Sequence, residues 1–443
     1  MIKSKVRYFF FMLCTGISPL LGLSQSQTHS PYSQYGVGDP VRTGFVNSFA
    51  MGGANRWMSD EFMMNPNNPA TYSNLRSTVY DVGLFYNTTQ GQTGDVIQES
   101  DNAGLRYFGL GFPVSDRLGW GMGITPYSEM GYDFTSPTNV GSTTANTRYT
   151  GLGGLSKIHG GLSWEAVKDS ANRLSVGANL LYFMGPVEQT TSVAFTGAQA
   201  QQFNSVITRE MRTSDVNFDV GVHYKKDITK LFTKKKANRI YLNLGASFMP
   251  QAQLNMNRTQ TAFSSRNQPK DVVREQRDTT DLTLPMEYGF GGSIEVTNIN
   301  KKNRFIIGFN YDHIDWQSLS IGGSNEELSG SHVYSAGMQY TPNEQALRGL
   351  FKLMRYRLGA RYADTRIVID DNQLSDFAVT GGFSVPLTAS RSITTLSTTL
   401  NFGVEYGVRG GGAEFTENYT RFMLGLSITP SFWDKWFQKR RIN

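Results

Sequence analysis

The sequence predicts an all-β protein: a transmembrane antiparallel β-barrel of about fourteen strands whose lumen holds an N-terminal hatch plug. Three observations predict it. The chain opens on a leader of the export type. From residue 77 onward, strands of about ten residues, the length that crosses a bilayer when tilted, alternate apolar and polar faces. The stretch between leader and strands is irregular, yet too apolar for a solvated tail.

The leader comes first. Lys3, Lys5 and Arg7 form a positive end, Tyr8 to Leu21 an apolar run, and Gly22-Leu23-Ser24 a small-residue cleavage site. Residues 1–24 therefore read as a cleaved signal peptide, which directs the chain toward the outer membrane of a Gram-negative cell. The single cysteine, Cys14, lies inside the apolar run behind Met12-Leu13. That placement excludes lipidation at Cys14 and leaves the exported chain without disulfide or thiolate chemistry.

Residues 25–76 form the second element. Ala50-Met51-Gly52-Gly53-Ala54 is followed by Met58, Met63 and Met64 and then by Asn68-Pro69-Ala70. Neither a period of 2 nor one of 3.6 persists, so this is neither strand nor helix. Its apolar residues need burial, and the lumen of the following barrel offers it. Gly52, Gly53, Asn68, Pro69 and Ala70 are the residues expected to mark this hatch.

Residues 77–429 form the barrel. In the last strand Phe422, Leu424, Leu426 and Ile428 share one face, while Tyr419, Arg421, Met423, Gly425 and Ser427 share the other. Val216–Lys225 and Leu396–Arg409 repeat the pattern, with glycines on the polar face and aromatics near the ends. That is the signature of lipid outside, a polar lumen inside and aromatic girdles at the interfaces. Connections 89–104 and 133–148 read as long polar loops, and 185–215 and 250–285 as two hairpins rising beyond the membrane. The Lys-rich turns at 225–239 and 300–304 fall on the periplasmic side, where Asn343–Leu353 is expected to form a short helix. The final element, 430–443, carries Phe432, Trp433, Trp436 and Phe437 before Lys439, Arg440 and Arg441. It reads as a periplasmic amphipathic tail.

Composition narrows the function classes. The net charge of +6 is modest, and the basic runs lack the interleaved aromatics of a nucleic-acid face. Outer-membrane lipid is the partner expected for them. The histidines His29, His159, His223, His313 and His332 are scattered; on a strand Asp312 and His313 face opposite ways, so they form no dyad. No metal-ligand spacing, phosphate loop or nucleophile elbow occurs. The reading is therefore a non-enzyme with no cofactor, no metal and no catalytic residue. Asp219, Glu287, Glu405, Arg357, Arg361 and Arg421 are expected to pair across the lumen, since a lone charge there is costly.

Pro126 interrupts the third strand within Gly121-Met122-Gly123-Ile124-Thr125-Pro126. Proline cannot donate to a ladder, and a closed barrel has no edge on which to hide it. Gly121, Gly123 and Pro126 are therefore expected to mark a gap in the wall, which Pro126→Val would close. The Ala-Met-Gly-Gly-Ala segment, Asn68-Pro69-Ala70 before the first strand, the disrupted third strand, Gly153-Gly154-Leu155 entering the fourth, and Ser30-Pro31-Tyr32-Ser33-Gln34-Tyr35-Gly36-Val37-Gly38-Asp39 resemble the FadL/TodX family of outer-membrane transport proteins, in its Bacteroidota form. The resemblance implies a hatch-plugged channel that takes up small hydrophobic molecules, such as fatty acids or hydrocarbons, through a lateral opening at strand three. No lumen face reads as strongly apolar, so the pocket is assigned to Met58, Met63, Met64, Phe85, Tyr127 and Tyr241. The alternative is a barrel that transports nothing and serves as subunit or scaffold of a larger outer-membrane assembly or secretion complex, which the tail and outer hairpins also suit.

Overall fold

The computed structural model describes residues 30–430 apart from 43, 141–142, 197–203, 233–236, 266–270, 326, 347–348, 370, 388–396 and 412–414. The expected signal peptide and the expected aromatic-basic tail beyond Pro430 lie outside the described residues. The chain forms a closed antiparallel barrel of fourteen strands. In order these are β1 (Val79–Thr93), β2 (Val96–Pro113), β3 (Leu118–Pro126 and Ser128–Val140), β4 (Thr143–Gly153 and Ser156–Lys168) and β5 (Asn172–Thr196). Then come β6 (Asn204–Asp227), β7 (Asn238–Met249 and Ala252–Ser265), β8 (Asp271–Leu284 and Glu287–Asn298), β9 (Arg304–Ile314) and β10 (Ser331–Thr341). The last four are β11 (Arg355–Ile369), β12 (Asn372–Pro386), β13 (Ser397–Arg409) and β14 (Phe415–Thr429). Each pairs with its neighbours, and β14 closes on β1 from Tyr80↔Ile428 to Thr93↔Phe415.

The outward face is the apolar one. Leu84 and Tyr86 on β1, Leu180 and Tyr182 on β5, Val216, Phe218, Val220 and Val222 on β6, and Phe422 and Leu424 on β14 are all exposed. Such a belt is stable only against hydrocarbon.

Two expectations from the sequence change. Residues 89–104 and 133–148 are mostly not loops: β1 with β2, and β3 with β4, continue as hairpins through most of that length. Strands that rise clear of the bilayer have water on both sides, so their Thr, Asn and Gln need not alternate with apolar residues. In Asn343–Leu353 only Leu350–Leu353 forms a helical turn among the described residues. The hairpin expected over 185–215 is present, since β5 and β6 run 25 and 24 residues.

Across β3 to β8 the strands break at matching heights: at Tyr127, at Gly154-Leu155, at Pro250-Gln251 and at Pro285-Met286. On the intervening β5 the backbone turns at Gly185, with φ 152°. The outer part of this half of the sheet is thereby re-aimed relative to the part below it.

Candidate functional site: an interrupted wall and the segment behind it

Residues 30–78 run through the barrel interior, and the inward glycines explain how they fit. A Cβ on Gly177 would stand 2.6 Å from the Pro69 backbone; one on Gly111, 2.7 Å from Leu75; one on Gly382, 2.7 Å from the Ala50 methyl; one on Gly403, 2.8 Å from the Phe49 ring. Glycines at Gly245 and Gly359 leave room for the backbone at Arg56 and Met51 in the same way. The polar strand faces are thus rich in glycine because a second layer of backbone lies against them. Gly52 and Gly53 adopt φ 71° and 89°, turning the chain after a short helix, α1 (Val46–Phe49). Asn68 caps the helical turn Pro69–Asn74 by accepting from the Ala70 amide at 3.1 Å, and its own amide donates to the Arg56 and Val222 carbonyls.

Ion pairs hold the segment to the wall. Arg56 donates to Asp312 at 2.7 Å, to Glu287 at 2.8 Å, to the Asn67 carbonyl at 2.9 Å and to Ser247. Asp60 lies 3.6 Å from Arg304 and 3.5 Å from Arg355. Asp39 pairs with Arg409 at 2.5 Å, and Ser30 donates to Glu417 at 2.5 Å. Of the lumen charges expected to pair, Glu405 meets Arg361 and Arg421. Arg357 donates to Gln339 and Ser384, while Asp219 accepts from Asn179. Sequence reasoning passed over Arg56; its signal was a lone cation amid small residues that had to be buried.

The wall is interrupted between β2 and β3. Their pairing runs from Pro113↔Gly119 to Phe108↔Ile124 and stops. Beyond that point β2 pairs only with β1, and the upper part of β3 pairs on its far side with β4. The edge of β3 that β2 has left is covered by the N-terminal segment. Asp39↔Glu129 and Pro40↔Ser128 form a short ladder, and the Val41 amide donates to the Tyr127 carbonyl at 2.9 Å. Ser33 Oγ accepts from the Gly131 amide at 3.0 Å, and Ser128 Oγ donates to the Val37 carbonyl at 2.7 Å. Gly38 lies in this contact at φ 100°, where a Cβ would meet the Glu129 carbonyl at 2.7 Å, so only glycine fits. A side-chain pair crosses the interruption: Arg106 on β2 donates to Glu129 on β3 at 2.8 Å.

The sequence-predicted residues fall differently around this feature. Pro126 stands at its lower corner, paired with Ser156 on the β4 side, where hydrogen bonding continues through Leu155. The interruption is therefore on the opposite flank from Pro126's partner strand. Gly121 and Gly123 lie below it, within continuous pairing to Gly111 and Gly109. The space over Gly121 is taken by Tyr72 and Met64, and that over Gly123 by His159. The six assigned pocket residues do not meet. Met58 and Met63 pack with Met51 and Trp57; Met64 and Phe85 with Phe45, Leu75 and Tyr107. Tyr241 lies at the short-turn mouth under the Lys225 ammonium. Tyr127 borders the interruption, and the Phe85 ring lies beside it against Arg106.

Behind Tyr127 the lumen is apolar, which the sequence reading did not expect. Tyr127, Met130 and Leu155 join Leu181, Phe183, Met211, Leu254 and Leu282 with Trp316 and Leu319 from the β9–β10 connection. The inward residues of several strands contribute one to three each, so the apolar face becomes continuous only across strands. A cavity of about 150 Å³ adjoins this cluster, lined by Tyr127, Ile314 and Trp316 together with the charged Asp39, Arg42, Arg56, Glu287, Asp312, Arg366, Asp376 and Arg409. A larger one, about 850 Å³, lies at the short-turn mouth among Asp60, Glu61, Arg173, Lys225, Glu295 and Arg304. The two share no lining residue. Among the described residues no group of three or more metal-ligating side chains converges.

Solved structures share this architecture. A FadL homologue of Pseudomonas aeruginosa superposes with TM-score 0.56 at 12% identity, covering 89% of this chain and 99% of its own. The toluene transporter TbuX of Ralstonia pickettii gives 0.51 at 14% identity, covering 88% and 99%. The toluene transporter TodX of Pseudomonas putida gives 0.50 at 14% identity, covering 90% and 100%. At such identities the likeness is one of fold. No curated protein matches the chain. The family model BamG matches residues 1–443, and the chain belongs to the BamG family.

Proposed function

We propose that this BamG-family barrel is an outer-membrane channel that passes small hydrophobic molecules from its lumen sideways into the membrane, with residues 25–76 as its hatch. The observation that carries the reading is the loss of β2–β3 pairing beside the apolar cluster at Tyr127, Met130 and Leu155. A hydrophobic molecule leaving there moves from apolar side chains to hydrocarbon. Continuing to the short-turn mouth would expose it to water and charge, at roughly 25 cal/mol per Å². The 150 Å³ cavity beside Tyr127 and Trp316 is the size that holds a single aromatic ring. Hydrocarbon-sized cargo fits that volume, and the toluene transporters among the structural neighbours lend the same direction. A signal peptide at residues 1–24 is part of this reading.

A second reading has its own support. The family's name hints at a BAM-related role, and the apolar cluster is packed solid, with Leu181, Phe183, Leu282 and Leu284 fully buried. On that reading the chain is a subunit of an outer-membrane assembly. One preparation separates the two. The protein is purified in mild detergent, its lipid extract is analysed for small apolar molecules, and its protein partners are quantified. A bound apolar ligand without stoichiometric partners supports transport. Stoichiometric partners with an empty extract overturn it in favour of the assembly subunit.

A further inference from the structure

We propose that Arg106 and Glu129 are the latch of the wall interruption: a buried ion pair that replaces the missing β2–β3 ladder and must break for the opening to widen. The proposal rests on the lateral-passage reading and deepens it.

The position of Arg106 is built by a bulge. Across β1 and β2 the register runs Gly83↔Tyr107 and then Leu84↔Leu105, so Arg106 is an extra residue. In a regular strand Arg106 and Tyr107 would face opposite ways, one toward lipid. Here both are buried, as two neighbours in a bulge can be. The bulge lies just beyond Phe108, the last residue of β2 that pairs with β3. It aims a cation at the interruption where the ladder ends. The Phe85 ring lies against the guanidinium, with its centroid 5.2 Å away.

Glu129 is equally placed. Its side chain reaches Arg106, while its backbone pairs with Asp39 of the N-terminal segment. Asp39 is tied in turn to Arg409 on β13. The latch residue on β3 is thus also the residue to which the covering segment is laddered. Both side chains of the pair are only 9% exposed. A buried pair of this kind is held strongly once formed, because separating it strands two charges. Backbone pairing alone could not do this work. Above Ile124 the two strands have diverged and a third segment occupies the β3 edge. Tyr107, the other residue of the bulge, donates to Asp81 at 3.1 Å and accepts from the Val46 amide at 3.3 Å, which fixes the bulge against α1. The bulge, the latch and the covering segment therefore form one unit.

The test uses the full-length protein in outer-membrane vesicles. R106Q and E129Q are compared with the charge exchange R106E/E129R, and folding of each is checked by heat-modifiable gel mobility. A C14S/R106C/E129C protein is bridged with a short reducible methanethiosulfonate reagent. The readouts are uptake of a hydrophobic fluorescent probe and amide exchange over residues 104–108 and 128–131. R106Q and E129Q should each raise exchange at both strands and speed uptake severalfold. The charge exchange should return both toward wild type. The bridge should reduce uptake to background until reductant is added. Exchange and uptake that ignore the single substitutions and the bridge overturn the latch while leaving transport intact. Faster exchange with no probe uptake in any protein supports the latch and overturns the transport reading.

Discussion

Replacing Arg56 by Met should loosen the internal segment while leaving the barrel folded. The guanidinium is anchored by two carboxylates and two further acceptors. Its side chain is 10% exposed, and those of Glu287 and Asp312 are 23% and 19%. Removing one member of a buried pair costs about 3–5 kcal/mol, because the other is left uncompensated. Here two carboxylates are left, but both border the 150 Å³ cavity and water can reach them, so the lower end applies. About 3 kcal/mol is a little over two decades of equilibrium constant at 1.36 kcal/mol per decade. Exchange over residues 45–75 should therefore accelerate roughly a hundredfold, and planar-bilayer recordings should show leak events rare in wild type. The triple variant R56M/E287Q/D312N should recover part of the loss by removing the stranded charges. Wild-type exchange and a silent bilayer in R56M would refute the reasoning, since the segment would then be held by packing alone.

Four further outcomes are expected. Gly177→Val drives a side chain into the Pro69–Ala70 backbone, so it should destabilise segment docking by about 1–3 kcal/mol, read as faster exchange at residues 68–74. Trp316→Ala empties a fully buried site against Tyr127, at about 3–5 kcal/mol of thermal stability, and should enlarge the cavity enough to admit bulkier probes. Pro126→Val should fold and leave probe uptake unchanged, because the interruption lies on the β2 flank; reduced uptake would place it on the wrong side. Deleting residues 50–70 should make vesicles leak polar dyes, whereas an intact barrier would show that the hairpins alone seal the lumen.

The fold was legible because a membrane barrel writes itself in every strand. Phe422, Leu424 and Leu426 against Arg421, Met423 and Gly425 state an outside and an inside without any neighbour being known. The internal segment was legible for the opposite reason: Met63-Met64 and Ala50 to Ala54 had no period and still needed cover. What escaped was whatever depends on register between distant strands. Leu181, Met211, Leu254 and Leu282 meet only because β5 to β8 stand side by side, and on each strand the apolar inward stretch is short. Arg106 reads as an ordinary strand cation until the bulge opposite Gly83-Leu84 is known. Pro126 drew attention to the right strand, but proline reports a missing donor and not which flank is open.

The interruption and the lumen barrier can open separately, and this follows from how each is held. Over the β3 edge the N-terminal residues are retained by hydrogen bonds at Ser33, Val37, Asp39 and Val41, each worth about 1 kcal/mol net, and by the Asp39–Arg409 ion pair at the rim. Deeper in the lumen residues 45–75 are held by Arg56, by Asp60 with Arg304 and Arg355, and by glycine-lined contacts around the barrel. Glu129 carries both the Asp39 ladder and the Arg106 pair, so the covering segment and the latch meet at one residue. A fluctuation that lifts residues 33–41 and parts Arg106 from Glu129 exposes Tyr127, Met130 and Leu155 toward lipid while the seal below stays in place. Hydrophobic cargo can then leave sideways without a water path across the membrane. In R106Q vesicles the hydrophobic probe should pass while a polar dye remains excluded, and R56M should reverse that order. Equal leakage of both probes in R106Q would mean that the two regions open as one.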